Sequence, residues 1–260
     1  MKKKITMPGL RKFNLIMAAL HALQALAVFI IADPTKGVQP VTANYLTLKP
    51  GTEQNPVLIS ASTTIGHINL ATIVIIFFVL SSLAHLFIAT VYRKKYESDL
   101  KKGINKVRWY EYSLSASTML VGIALLTGIY DLGMLIAIFS LTAIMNLMGL
   151  AMEYYNQGRE KISWLAYNIG CVAGIIPWII IGLTFWAGDK YGTGHPPTFV
   201  YFIYVSLFLF FNCFAINMVL QYKKIGKWDN YLYGERAYII LSLLAKSVLA
   251  WQVFAGTLRP

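Results

Sequence analysis

The segment SLLAKSVLAW, Ser242 to Trp251, sets one lysine inside an apolar run long enough to cross a membrane. Lys246 is the only one of 23 Lys and Arg side chains placed within such a run; the others fall in loops or at segment ends. An ammonium in hydrocarbon surroundings is costly. The amine must therefore be uncharged, paired with a carboxylate, or covalently committed to a ligand. It stands ten residues after Arg236 and 13 before Arg259, roughly 15 Å from the nearer boundary at about 1.5 Å per helical residue, beyond easy snorkelling. An amine bonded only for packing, or one that handles a transported ion, remains open at this point.

Working outward from that run, the 260 residues are 57% hydrophobic, 14% aromatic and 13% charged, more apolar than an ordinary soluble domain. Apolar runs of spanning length occur at about 12–32, 61–92, 106–129, 132–155, 162–187, 197–222 and 235–258. The expectation is an all-α membrane protein, a single seven-helix bundle over residues 1–260. The connection 33–60 alternates Val41, Ala43, Tyr45 and Thr47 before Pro50-Gly51, which reads as a short β-hairpin. The basic start Met1 to Lys4 and the apolar stretch behind it resemble a signal peptide. The stretch from Phe13 to Ala32 is longer than a signal core and ends without a small-residue cleavage site, so it reads as the first span. Cys171 and Cys213 lie in apolar runs and read as small buried hydrophobes rather than a disulfide or metal pair.

The net charge of +12 is distributed by face rather than as a nucleic-acid footprint. Lys2, Lys3, Lys4, Arg11 and Lys12 precede span one, and Arg93, Lys94, Lys95, Lys101, Lys102, Lys106 and Arg108 follow span two. Arg159 and Lys161 follow span four, and Lys223, Lys224, Lys227 and Arg236 surround the loop after span six. The opposite face has only Lys36, Lys49, Lys190 and Arg259. Cytoplasmic loops collect Lys and Arg, so the N-terminus is expected in the cytoplasm, the C-terminus outside and the hairpin in the first extracellular loop.

A charged Lys246 needs an anion in the same dry environment. Among 11 acidic residues, Glu111 on span three and Glu153 near the end of span four lie in or near apolar surroundings, and Glu111 is the better counter-charge. It begins a stripe of Glu111, Ser115, Thr118 and Gly122, whose spacing keeps one helix face toward the interior. Two considerations oppose it. Glu111 can pair with Arg108 three residues earlier, and it sits about 10 Å shallower than Lys246 if Arg108 and Arg236 mark one plane, unless Arg108 is drawn inward. Ser242, one turn before Lys246, is placed to bond the amine or its anion, although serine is also ordinary interhelical glue. His21, with Ser81 and His85 at i, i+4, sets two imidazoles and a hydroxyl at mid-span or basic-half depth, where they line a wet cavity or simply bond between helices. Met145, Gly149, Pro177, Trp178, Phe208, Phe210, Phe211 and Phe214 suit an elongated apolar ligand or a plain core. Nucleotide loops, nucleophile elbows and metal-ligand spacings are absent, so neither an enzyme nor a metal site is expected.

Seven spans with a lone lysine in the last, facing a carboxylate on the third, resemble the microbial rhodopsins. The segments SLLAKSVLAWQVFAGTLRP (Ser242 to Pro260), RWYEYSLSAS (Arg108 to Ser117) and FFNCFAINM (Phe210 to Met218) narrow the likeness to the heliorhodopsins, over essentially the whole chain. That resemblance implies all-trans retinal bound as a Schiff base to Lys246, with Glu111 as counterion and Ser242 and Ser115 flanking the imine. It implies a pocket including Phe211, Trp178, Met145 and Gly149, and a water-containing, proton-accepting cavity around His21, Ser81 and His85. It further implies an orientation inverted relative to other microbial rhodopsins, as the charge count expects, and a homodimer contact at the hairpin. Ordinary proton pumps carry a second carboxylate 11 residues after the first; here that position is Gly122. The resemblance therefore points to a light sensor with proton release and a slow photocycle rather than an efficient pump, with an unidentified signalling partner on the cytoplasmic face. The competing functions are a light-gated or light-driven ion transporter and a seven-helix transporter without retinal.

Overall fold

The computed structural model describes residues 5–52 and 54–259. Lys2, Lys3 and Lys4 of the basic count, and Pro260 at the end of the C-terminal motif, lie outside the described residues. The helices are α1 (Met7–Ile31), α2 (Leu70–Ala89), α3 (Arg93–Lys101), α4 (Lys106–Leu126), α5 (Leu132–Tyr155), α6 (Leu165–Tyr191), α7 (Thr198–Tyr222) and α8 (Tyr231–Val253), with a wider terminal turn at Phe254–Leu258. Strands β1 (Val38–Leu48) and β2 (Leu58–Asn69) form an antiparallel pair between α1 and α2. The bundle is thus mostly helical, as the apolar runs require.

Polar caps set the helix starts. Thr6, Asn69, Asn105, Asp131 and Asn230 each accept a hydrogen bond from a first-turn amide, of α1, α2, α4, α5 and α8 respectively, satisfying donors that a helix start leaves open. Six of the helices are long and apolar enough to cross a membrane. The third long helix, α4, is the exception, because Lys106, Arg108 and Glu111 occupy its first two turns. It nevertheless packs between α2 and α5 and buries Met119, Leu120, Ile123, Ala124 and Leu125.

The expected short antiparallel hairpin is present, paired from Val38↔Asn69 to Leu48↔Leu58. Two local expectations are corrected. Residues 61–69, expected in span two, belong to β2, because Thr63, Thr64, Ile65 and Ile68 are β-branched residues with a partner strand to pair with, and apolarity alone does not separate strand from helix. Residues 93–101, expected as loop, form α3, steadied by Arg93–Glu97 at 2.8 Å and Lys95–Asp99 at 3.7 Å and seated on buried Tyr96 and Leu100. The cysteines differ too: Cys171 on α6 is exposed and Cys213 is half-buried, both as free thiols.

Arg108 does not mark the surface. It is 6% exposed, and its guanidinium bridges Glu153 of α5 and Glu235 of α8. Asn105 reaches both carboxylates, its amide N donating to Glu153 Oε2 at 2.8 Å and its side chain to Glu235 Oε1 at 2.6 Å. Tyr231 donates to Glu153 at 3.0 Å and Tyr96 of α3 to Glu235 at 3.2 Å. One cation thus ties α4, α5 and α8 together at the basic end, and Tyr96 joins α3 to the same cluster. Breaking a buried ion pair by removing one partner leaves an uncompensated charge, which costs about 3–5 kcal/mol. Arg108→Gln is expected to destabilise the bundle by that order, measured as a lowered thermal midpoint of the purified protein; an unchanged midpoint would contradict the assignment.

Candidate functional site

Lys246 and Ser242 stand one turn apart on α8, and the long lysine side chain leans toward the helix N-terminus, as helical side chains do. Its Nζ donates to Ser242 Oγ at 2.8 Å and to Glu111 Oε1 at 3.2 Å, with the two charged side chains only 4% and 8% exposed. The apparent difference in depth is closed from both sides, because Arg108 is drawn inward and Lys246 reaches back. Ser81 of α2 donates to the same Glu111 oxygen at 2.6 Å. Ser115, one turn beyond Glu111, is fully buried, its hydroxyl near the carboxylate without a well-formed hydrogen bond. The Tyr112 ring centre lies 5.2 Å from Nζ. Thr118 leaves the expected inward stripe and bonds the Leu114 carbonyl of its own helix.

His85 follows Ser81 by one turn, and its Nδ1 lies 2.7 Å from Asn14 Oδ1 on α1. His21 stacks on His85 with ring centres 5.6 Å apart and planes 6° from parallel. His21 is completely buried, and neither of its ring nitrogens has a hydrogen-bond partner among the described residues. The fold therefore brings His21, Ser81 and His85 together on adjoining faces of α1 and α2, against Glu111.

From Lys246 a cavity of about 470 Å³ extends between α4, α5, α6, α7 and α8. Met145, Gly149, Trp178, Phe211, Ser242 and Lys246 all line it, as do Phe208 and Phe214, whereas Phe210 and Pro177 do not. Trp178 makes edge contacts with Phe208 and Phe211, ring centres 5.4 and 5.3 Å apart, and Tyr204 holds the Trp178 carbonyl at 3.1 Å. The walls close tightly on two glycines: a Cβ at Gly149 would enter the Trp109 ring, and one at Gly174 would enter the Met145 sulfur.

A family model described as Heliorhodopsin matches residues 10–258, nearly the full chain. The chain belongs to the heliorhodopsin family. No curated protein matches it. Membership makes this a multi-pass membrane protein of a group that acts as retinal photoreceptors rather than as enzymes.

The residues present fit such a pigment. Its size falls within the roughly 300–1,000 Å³ of small-molecule pockets, the walls are apolar and aromatic, and one buried amine stands at the lining. Several residues that the fold gathers around this cavity and its neighbouring ion pairs were not singled out in the sequence. Trp109 walls the cavity while its Nε1 donates to Glu153 Oε2 at 2.7 Å, and Tyr112 donates to the Tyr238 carbonyl at 2.9 Å. Glu235 was obscured by its neighbour Arg236 in an evidently charged stretch. Asn14 was legible in principle, because it precedes His21 by seven residues on the buried stripe of α1.

The two glycines are expected to respond differently to a methyl group. Gly149→Ala forces the rigid Trp109 indole to move and should destabilise by about 1–3 kcal/mol, as overpacked cores do. Gly174→Ala meets the flexible Met145 side chain and should cost less. Thermal unfolding of both variants, side by side, checks the order.

Proposed function

We propose that Lys246 carries retinal as an imine, with Glu111 as its counter-charge, and that the protein senses light through proton release and a slow photocycle without efficient ion pumping. The observation that carries this reading is a fully buried amine, bonded to one carboxylate and one hydroxyl, at the lining of a closely walled apolar cavity. Bound there, retinal supplies light absorption and isomerisation about its polyene. Everything else falls to the chain. Glu111 holds the positive charge at Nζ in a setting where an unpaired ion is untenable. Ser81 and Ser242 orient that pair, and Ser115 flanks it.

Phe211, Trp178, Met145 and Gly149 confine an apolar ligand so that a change in its shape is delivered to Nζ rather than lost in slack packing. Drawing Nζ away from Glu111 weakens the interaction that retains the proton, and Ser81, His85 and His21 form the adjoining polar group able to receive it. Gly122 offers no second carboxylate for reloading, which disfavours pumping. We assign the basic face to the cytoplasm, with an unidentified signalling partner there, and the hairpin to an extracellular homodimer contact. The charge asymmetry supports the orientation.

Adding all-trans retinal to purified protein is expected to produce a visible absorption band that Lys246→Ala abolishes; no band would leave the non-retinal transporter as the surviving function. Glu111→Gln should shift the band strongly to the red, because the carboxylate stabilises charge located at the nitrogen in the ground state. An unshifted band reassigns the counterion. Steady photocurrent in a voltage-clamped cell would favour the ion-transporter reading, and its absence the sensor.

A further inference from the structure

A second apolar groove runs on the outside of the bundle between α5 and α6, lined by Met148, Ala151, Tyr154, Tyr155, Leu165, Ala166 and Ile169. Tyr154, Tyr155, Leu165 and Ile169 are exposed at 46%, 49%, 61% and 47%, so the bundle itself leaves the groove uncovered. It lies toward the basic ends of the two helices. Both rim tyrosines carry a cation: Lys106 Nζ lies 5.3 Å from the Tyr154 ring centre, and the Arg159 guanidinium 3.9 Å from that of Tyr155. Exposed Lys161 follows in the same loop, with exposed Glu160 between it and Arg159. Along α5 toward its basic end, the apolar Met148 and Ala151 are followed by the rim tyrosines and then by Arg159.

We infer that this groove is a binding site for one anionic phospholipid, its acyl chain laid along Met148, Ala151, Leu165 and Ile169 and its phosphate held between Lys106 and Arg159. Charge complementarity selects that occupant. A zwitterionic lipid fills the apolar part equally well but leaves the two cations facing a headgroup that carries its own positive charge. Basic pockets between membrane helices suit acidic headgroups, each Lys or Arg near the surface contributing about 1 kcal/mol. Aromatic faces hold the two cations at the groove without neutralising them. Met148 and Ala166 line both the groove and the inner cavity, so the lipid chain lies against the outer side of the cavity wall. The site stands whether or not pigment is bound.

Native mass spectrometry of the purified full chain, equilibrated with an equal mixture of phosphatidylglycerol and phosphatidylcholine, tests it. The unmodified protein is expected to retain one phosphatidylglycerol with several-fold preference. The double variant Lys106→Gln/Arg159→Gln should lose the preference, and Ala151→Trp, which keeps every charge and fills the floor, should lose the lipid. Lys223→Gln/Lys224→Gln removes as much charge from the same face away from the groove and should change neither. Equal loss in this remote pair would reduce the effect to general surface charge and overturn the proposal, as would retention unaffected by Ala151→Trp or no preference in the unmodified protein.

Discussion

A charge withdrawn from water inside a helical bundle must meet its opposite within hydrogen-bond reach, and two such demands organise this protein. Lys246 is answered by Glu111, Arg108 by Glu153 and Glu235. The two solutions depend on each other. Had Arg108 taken the carboxylate three residues along its own helix, Lys246 would have stood uncompensated and Glu153 and Glu235 would have faced one another without a cation. Because Arg108 turns to α5 and α8 instead, Glu111 is left free for the amine. The bundle geometry follows: α4 must lie against both α8 and α2 to supply the pair and its serine, and α5 must close beside α4 at the basic end.

The two ion clusters are not isolated from each other or from the cavity. Arg108 lies 4.7 Å from the Trp109 ring centre and 4.0 Å from that of Tyr238, Trp109 bonds Glu153 while forming cavity wall, and Tyr112 lies between Lys246 and the Tyr238 backbone. Edge contacts of Trp109 with Tyr112 and Tyr238, ring centres 6.3 and 5.8 Å apart, complete a continuous aromatic layer. A shape change in the cavity therefore meets stiff, close-packed rings rather than pliable aliphatic chains on the side facing the basic end.

Much of this was legible in the chain because membranes make sequence patterns simple. Long apolar runs announced the helices, and a single lysine within one of them announced where a buried ion pair would be needed. The hairpin was visible in the alternation around Tyr45, but the point where its second strand gives way to α2 was not, since an apolar, β-branched stretch such as residues 58–69 satisfies a strand or the start of a span until a partner strand decides. The same limit hid α3, whose charged sequence carries little apolar periodicity and becomes helical on docking Tyr96 and Leu100. Residues that announce themselves by charge or by lone polarity, Lys246, Glu111, Ser81, His21 and His85, are ones that the fold gathers together. Trp109 and Glu235 were missed because their significance is relational. An indole on a glycine and a carboxylate buried beside an arginine from another helix have no signature in one dimension.

The junction between hairpin and bundle has a mechanical consequence. β2 passes into α2 without an intervening loop, Asn69 being at once the last strand residue and the cap of the helix, while the base of the hairpin is pinned by the Gly37 carbonyl on the Leu70 amide at 3.0 Å and by Thr42 on the Tyr130 carbonyl at 2.8 Å. Strand and helix are thus joined directly, without a loop that could absorb a displacement, and are held at that base. The same helix carries Ser81 and His85, so a torque applied to the protruding hairpin arm, by a neighbouring molecule gripping it, would be felt about three helical turns inward at the hydroxyl that steadies Glu111.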